Sequence, residues 1–284
     1  MAHRKIVPGS AWALVTGAGS GIGRCYARRL AGLGYNLVLA GNRRDSLEET
    51  RTDILGPENT GSRPKPGDEK GLFRPEIRIV EIDLARIDAA EELFAYTRDA
   101  GLGIEVVINN AGIFSFRDVV ETPAERIERI ILLHDVTNTK LCRLYAIDMI
   151  RRGCRGYLLN MSSYSLWMPF PGLSLYSASK AYLRAFSVAF AKEVREHGIR
   201  VTAVCPAGVA TDLYGLTPYW QKIGLRCGVL ISPDACARRG LRGLWRGRRT
   251  IVPDWWNRLW IPLCKILPMW VLRPIRKFTM KFQK

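Results

Sequence analysis

The chain has 284 residues, 48% of them hydrophobic, and a formal net charge of +17. That length suits one large domain or two small ones, and the apolar content excludes an intrinsically disordered chain. Thirteen Lys/Arg and a single acid, Asp254, fall between Ala237 and Lys284, so +12 of the +17 belongs to the last sixth of the chain.

AWALVTG (11–17) reads as a short buried strand ending in glycines, and GRCYARRLAGLG (23–34) has helical spacing that stops at Gly34. YNLVLAG is a second strand, followed by a polar helix. Residues 56–76, rich in Gly, Pro and charge, read as a surface loop. IRIVEIDLA and IEVVINNAG are the third and fourth strands, and a long helix covers 123–151. GYLLNMSS is a fifth strand, YSASKAYLRAFSVAFAKEVREHG a helix, and IRVTAVCPAG a sixth strand. SPDACARRGLRGLWRG is a helix capped by Ser232 or Asp234, and RTIVPD is a candidate seventh strand. Continuous apolar strands separated by helices predict an α/β fold, a doubly wound parallel sheet of Rossmann type, over residues 1–254. Residues 255–284 form a basic, tryptophan-rich C-terminal extension. Ligands of such folds bind at the carboxyl ends of the strands.

The scattered cysteines, odd in number and without metal-ligand spacing, imply a reducing cytoplasm and no metal site. The N-terminal MAHRKIVPGS has no apolar stretch, so no signal peptide is expected.

Between the first strand and the first helix lies TGAGSGIG, Thr16 to Gly23. Its glycines follow G-x-x-x-G-x-G at Gly17, Gly21 and Gly23. Glycines there allow a tight turn and let the backbone approach a pyrophosphate on the helix N-terminus. A turn without a ligand is the plainer alternative. Strand two ends LAGNRRD, with Asn42, Arg43 and Arg44 where an NAD site usually carries an acid that holds the ribose 2′-hydroxyl. NADP(H) is therefore the expected cofactor, with NAD(H) possible because Asp45 is close.

Taken in order, TGAGSGIG, IDLA, NNAG, NMSS, YSASK and PAGVAT resemble the motifs of the classical short-chain dehydrogenases/reductases, over about Trp12 to Leu213. The resemblance implies that Gly17, Ser20, Gly21, Ile22 and Gly23 cradle the cofactor, with Asn42 and Arg43 at its ribose end and Asp83 on its adenine. It places Asn110, Ala111 and Gly112 along the cofactor, and Pro206, Gly208, Val209 and Thr211 over the nicotinamide. Ser163, thirteen residues before Tyr176, would position the carbonyl in preference to Ser162. Tyr176 would be the acid/base, and Lys180, one turn on, would lower its pKa and hold the ribose. The family's catalytic asparagine of the long helix is replaced by His134, a candidate proton relay or a packed core histidine. Asn138 is the alternative in the next turn.

The expected activity is reduction of a ketone, or oxidation of a secondary alcohol. Three apolar segments form the candidate substrate walls: Ile113 to Phe116, Tyr164 to Phe170, and Leu213 to Trp220. They suit a bulky lipophilic molecule such as a steroid or a 3-oxoacyl chain. The alternative is a membrane-associated NADP(H)-binding scaffold or sensor with little turnover. In the extension, Trp255, Trp256, Trp260 and Trp270 stand among arginines and lysines. That pattern suits peripheral contact with an anionic membrane or packing on the domain, and no nucleic-acid motif accompanies it. A cytoplasmic homo-oligomer, at most peripheral to a membrane, completes the expectation.

Overall fold

The computed structural model describes residues 7–56, 73–168, 170–211, 217–254 and 257. Strand β1 (Trp12–Thr16) leads through helix α1 (Gly21–Gly32) to β2 (Asn36–Gly41), and α2 (Arg44–Leu55) leads on to β3 (Ile77–Glu81). Helix α3 (Ala89–Asp99) joins β3 to β4 (Ile104–Asn109); its AAEELFAYTRD had not been separated from its surroundings in the sequence. The long helix is α4 (Ala124–Ile131) and α5 (Asn138–Arg151), joined through one π-helical turn, Leu132–Thr137. Then follow β5 (Tyr157–Met161), α6 (Ser174–Glu193), β6 (Arg200–Val204), β7 (Gly208–Val209), α7 (Pro218–Arg226), β8 (Leu230–Ile231), α8 (Pro233–Trp245) and β9 (Thr250–Ile251).

Seven strands make one parallel sheet in the order β3-β2-β1-β4-β5-β6-β9. The candidate seventh strand exists, shortened to Thr250–Ile251 and paired with Ala203 and Val204. β1, β4 and β5 are buried on both faces, which is why their sequences run apolar without alternation. One face is covered by α1 and α8, through Tyr26, Leu30, Leu241 and Leu244. The other is covered by α3, α5 and α6, through Leu93, Leu141, Tyr145 and Ala191. Ser232, not Asp234, caps α8: its hydroxyl accepts from the Ala235 N–H at 3.1 Å, while Asp234 accepts from Arg29 at 2.8 Å.

The order reverses at β1. From there the chain builds outward to β2 and β3, then crosses back to β4, β5, β6 and β9. The carboxyl ends of β1 and β4 therefore splay around a crevice, the usual ligand site of such sheets. Residues 57–72, most of the expected surface loop, and all of 255–284 except Asn257 lie outside the described residues.

Candidate active site

A cavity of about 660 Å³ occupies that crevice. Its floor is the glycine turn. Gly17 and Gly21 have φ of +62° and +53°, a region L side chains rarely adopt. A Cβ on Gly23 would stand 2.1 Å from the Gly17 carbonyl oxygen. The turn is locked to the end of β4. Thr16 Oγ1 accepts from the Asn110 and Ala111 N–H groups, each at 3.0 Å, and Asn110 Nδ2 donates to the Thr16 and Gly17 carbonyls at 3.1 and 3.2 Å. Only a backbone stripped of side chains packs this tightly, and it leaves the N-terminus of α1 open to a pyrophosphate.

Gly17, Ser20, Gly21, Ile22, Asn42, Asp83, Asn110, Ala111, Gly112, Pro206, Val209 and Thr211 line the cavity, as do Ser163, Tyr176, Lys180 and His134. Three expected residues do not. Gly23 packs beneath the turn, and Gly208 packs against the Leu230 side chain. Arg43, the residue before α2, is exposed and does not line the cavity; Asn42 and Gly41 line the wall there.

Asp83 Oδ1 accepts from the Ala85 N–H at 3.0 Å, and its Oδ2 accepts from Arg129 at 2.9 Å. Burial pushes its pKa up, but the Ala85 N–H and the Arg129 guanidinium outweigh it and hold the carboxyl below its ordinary value. Arg129, from α4, also lines the cavity and was not anticipated. Its partner is 46 residues away, so no local pattern announces the pair. Gln221, from α7, was missed for the same reason.

At the far end stand Ser163, Tyr176 and Lys180. Ser162 and Ser163 leave β5 with different partners. The Ser162 hydroxyl donates to the Lys180 carbonyl at 2.6 Å and ties β5 to α6. The Ser163 hydroxyl acts on the Tyr176 phenol. Tyr176 is 5% exposed, with Phe114 edge-on at 5.1 Å and His134 edge-on at 5.9 Å between ring centroids. Burial dominates the phenol and pushes its pKa up to about 12, while the Ser163 hydroxyl pulls the other way. Lys180 Nζ lies 5.6 Å from the phenol ring centroid and donates to the Met161 carbonyl at 3.0 Å. Burial pulls its pKa down to about 8, against the attraction of Asp135. Burial is the largest influence on both groups.

His134 is fully buried, and both ring nitrogens are engaged. Nε2 accepts from the Ile113 N–H at 3.0 Å, so the neutral ring carries its proton on Nδ1, which faces Ser179 Oγ at 2.9 Å. Ser179 in turn donates to the Tyr176 carbonyl at 2.9 Å. Burial, then the charge of Lys180, holds the imidazole well below its ordinary pKa. With both nitrogens engaged, the ring ties the segment after β4 to α6, the arrangement of the packed core histidine that stood beside the proton relay as the alternative. Asn138 is buried and donates to the His134 carbonyl at 2.8 Å, so it braces the π-turn and does not line the cavity.

Of the candidate substrate walls, Phe114, Phe116, Phe170 and Leu173 pack in one apolar cluster with Tyr176. Tyr164 is buried, and its hydroxyl donates to the Asn257 carbonyl at 2.7 Å. Tyr219 and Trp220 are exposed on α7, and Leu213 and Tyr214 lie outside the described residues.

This site sits on a doubly wound sheet with its dinucleotide turn after β1 and its Tyr-x-x-x-Lys pair on α6. The chain belongs to the short chain dehydrogenase family, whose model matches residues 11–221. It is 33% identical over 217 residues to the very-long-chain 3-oxoacyl-CoA reductase of Bos taurus, covering 74% of this chain and 64% of that protein. The Homo sapiens protein of the same name is 32% identical over 207 residues, covering 71% and 60%. The match thus spans under two thirds of these relatives' length. A Sphingobium yanoikuyae short-chain dehydrogenase in complex with NADPH superposes with a TM-score of 0.72 at 27% identity, covering 95% of each chain. The bulky-bulky ketone specific alcohol dehydrogenase of Comamonas testosteroni gives 0.71 at 24%, covering 92% of this chain and 96% of that one, and is alike in fold.

Proposed function

We propose that the protein is an NADP(H)-dependent reductase of a ketone on a long-chain or otherwise bulky lipophilic molecule. The observation that carries the reading is the buried Tyr176 phenol, with Ser163 as its partner and Lys180 one helical turn on, at the end of a cradle shaped for a dinucleotide. The cofactor supplies the hydride when bound. Gly17, Ser20, Gly21 and Ile22 would hold its pyrophosphate, Lys180 its nicotinamide ribose, and Thr211 would close over it. NADP(H) is favoured because β2 ends in Asn42, Arg43 and Arg44. Among the described residues the one acid lining the cavity, Asp83, is already paired with Arg129.

In the reduction, the Ser163 hydroxyl donates to the substrate carbonyl oxygen and stabilises its developing charge. Tyr176 then gives its phenolic proton to that oxygen as the hydride reaches carbon. A phenol pushed up to about 12 by burial keeps its proton at neutral pH but is a weak acid, so the transfer relies on the Ser163 hydrogen bond and the Lys180 charge to favour the phenolate. The resulting phenolate lies beside the Lys180 ammonium, which stabilises it. His134 positions this group: through Ser179 it fixes the first turn of α6, which carries Tyr176. The apolar Phe114, Phe116 and Phe170 beside the phenol suit an acyl chain or a fused-ring molecule better than a sugar. The named 3-oxoacyl-CoA reductases point to the acyl chain.

The test is NADPH oxidation with a panel of 3-oxoacyl thioesters and keto-steroids, with NADH in parallel. Wild type should be faster with NADPH, and Tyr176→Phe should lose roughly 10²–10⁴-fold in kcat. Equal rates for wild type and Tyr176→Phe on every active substrate would sink the assignment. A second reading, a cofactor-binding sensor with little turnover, draws on the high phenol pKa and the engaged His134. Tight NADPH binding without turnover across the panel would favour it.

A further inference from the structure

The charge near the C-terminus is not all in the extension. Six of the thirteen basic residues beyond Ala237 lie in α8 and the turn that follows it: Arg238, Arg239, Arg242, Arg246, Arg248 and Arg249. Three of these face a second cavity, of about 840 Å³, at the amino ends of β5 and β6, the opposite end of the sheet from the glycine turn. Its wall carries Arg155, Arg195, Arg200, Arg246, Arg248 and Arg249, and no Asp or Glu lines it.

Some of this is ordinary. Arg246 follows the last turn of α8 and Arg195 follows α6, where the helix dipole favours a cation. The pairing pattern is not ordinary. Elsewhere arginines find carboxylates: Arg24 with Glu49, Arg28 with Asp53, Arg86 with Asp88 and Glu92, Arg152 with Asp148. Among the described residues no ion pair reaches Arg155, Arg195, Arg246, Arg248 or Arg249. Arg200, half-buried, is fixed in the wall: it lies 5.9 Å over the Tyr157 ring and donates to the Trp245 carbonyl. Six guanidiniums around one concavity repel one another unless an anion joins them, and each is shaped to hold phosphate oxygens in pairs.

We propose that this cavity is a binding site for a compact polyphosphate, such as inorganic triphosphate or the triphosphate arm of a nucleotide. Concavity favours this ligand over a flat anionic surface, which would meet the exposed arginines but reach the half-buried Arg200 between them less well. The size suits a ligand of nucleotide scale. The site stands apart from the cofactor cleft, so a ligand here and NADP(H) there bind the same molecule without competing.

The test is calorimetric titration of the full chain, held saturated with NADPH so that the cofactor cleft is filled. The probes are tripolyphosphate, ATP and inorganic phosphate. Tripolyphosphate should bind near one per chain, more tightly than phosphate, and more weakly as salt is raised. ATP binding as tightly as tripolyphosphate assigns recognition to the phosphates alone, and tighter ATP binding adds a contact with the nucleoside; both support the site. Arg246→Gln/Arg248→Gln/Arg249→Gln should lower tripolyphosphate affinity at least tenfold with NADPH affinity unchanged. Where the triple variant fails to fold, Arg195→Gln alone should give a measurable fraction of that loss. An unchanged affinity in a folded variant, or no binding by wild type, overturns the proposal. So does arginine-dependent sedimentation with phosphatidylserine vesicles that tripolyphosphate does not displace, which would assign the arginines to a membrane.

Discussion

His134 shows how much one side chain decides at the residue scale. Its ring joins the Ile113 N–H to Ser179, and Ser179 reaches the Tyr176 carbonyl. A neutral, buried imidazole with a depressed pKa contributes stability at a pH above its unfolded value, and that contribution is lost as pH falls. The unfolded chain then takes up a proton that the folded chain refuses. His134→Asn retains an acceptor for the Ile113 N–H and has nothing that titrates. Between about pH 7.5 and about pH 5, urea unfolding of wild type should lose more stability than this variant does, because the unfolded chain alone takes up the proton. Equal losses would mean that the imidazole does not stay neutral in the fold. The closeness of Tyr176 and Lys180 could be anticipated because four residues make one turn of a helix, and that relation is contained in the sequence. The roles of Ser179 and Arg129 could not, because their partners are 45 and 46 residues away and become neighbours only once the sheet has formed.

At the scale of elements, the strands and most helices were legible because burial imposes a period. β1, β2 and β4 read as unbroken apolar runs, and α1 as a helix closed near Gly34. The π-turn between α4 and α5 was not legible: LLHDVT differs in no periodic way from the helix around it, and its wide turn is set by the packing of His134 and Thr137 against other elements. The glycine turn is the opposite case, since its spacing states a steric requirement. Gly23→Ala would place a Cβ 2.1 Å from the Gly17 oxygen and 2.6 Å from Asn110 Nδ2, so the turn and the end of β4 must separate. We expect a loss of about 1–3 kcal/mol by overpacking, and at least about a tenfold loss of NADPH affinity as the turn opens. Gly32→Ala, in the same helix, meets nothing within 4 Å and should cost nothing. Matching losses in the two variants, read by thermal unfolding and NADPH fluorescence, would show that close packing is not the reason for glycine at 23.

At the scale of the whole molecule, two ties to the core fall near residue 254, where the sequence places the end of the domain. Asp254 is buried, and its Oδ2 accepts from the Ala207 N–H at 2.9 Å, just before the β7 segment that borders the cofactor cleft. Three residues on, the Asn257 carbonyl accepts from the Tyr164 hydroxyl. Among the described residues no helix is long and apolar enough to cross a membrane. The tryptophans and basic residues beyond Asn257 lie outside the described residues, and it is their composition that makes them the candidate for peripheral contact. Two truncations separate the roles. A chain ending at Asn257 keeps both ties and should unfold within about 2 °C of the full chain, with NADPH affinity unchanged. It should also lose sedimentation with phosphatidylserine vesicles, since most of the basic, tryptophan-bearing segment that would hold the surface is gone. A chain ending at Pro253 loses Asp254 as well. It strips the partner from the Ala207 N–H beside the nicotinamide end of the cleft, at about 1–3 kcal/mol, or roughly 2–10 °C for a chain of this size. If vesicle binding survives the first truncation, the membrane contact is not in the extension. If the second truncation is as stable as the first, Asp254 is not what fastens the end of the domain over the cofactor.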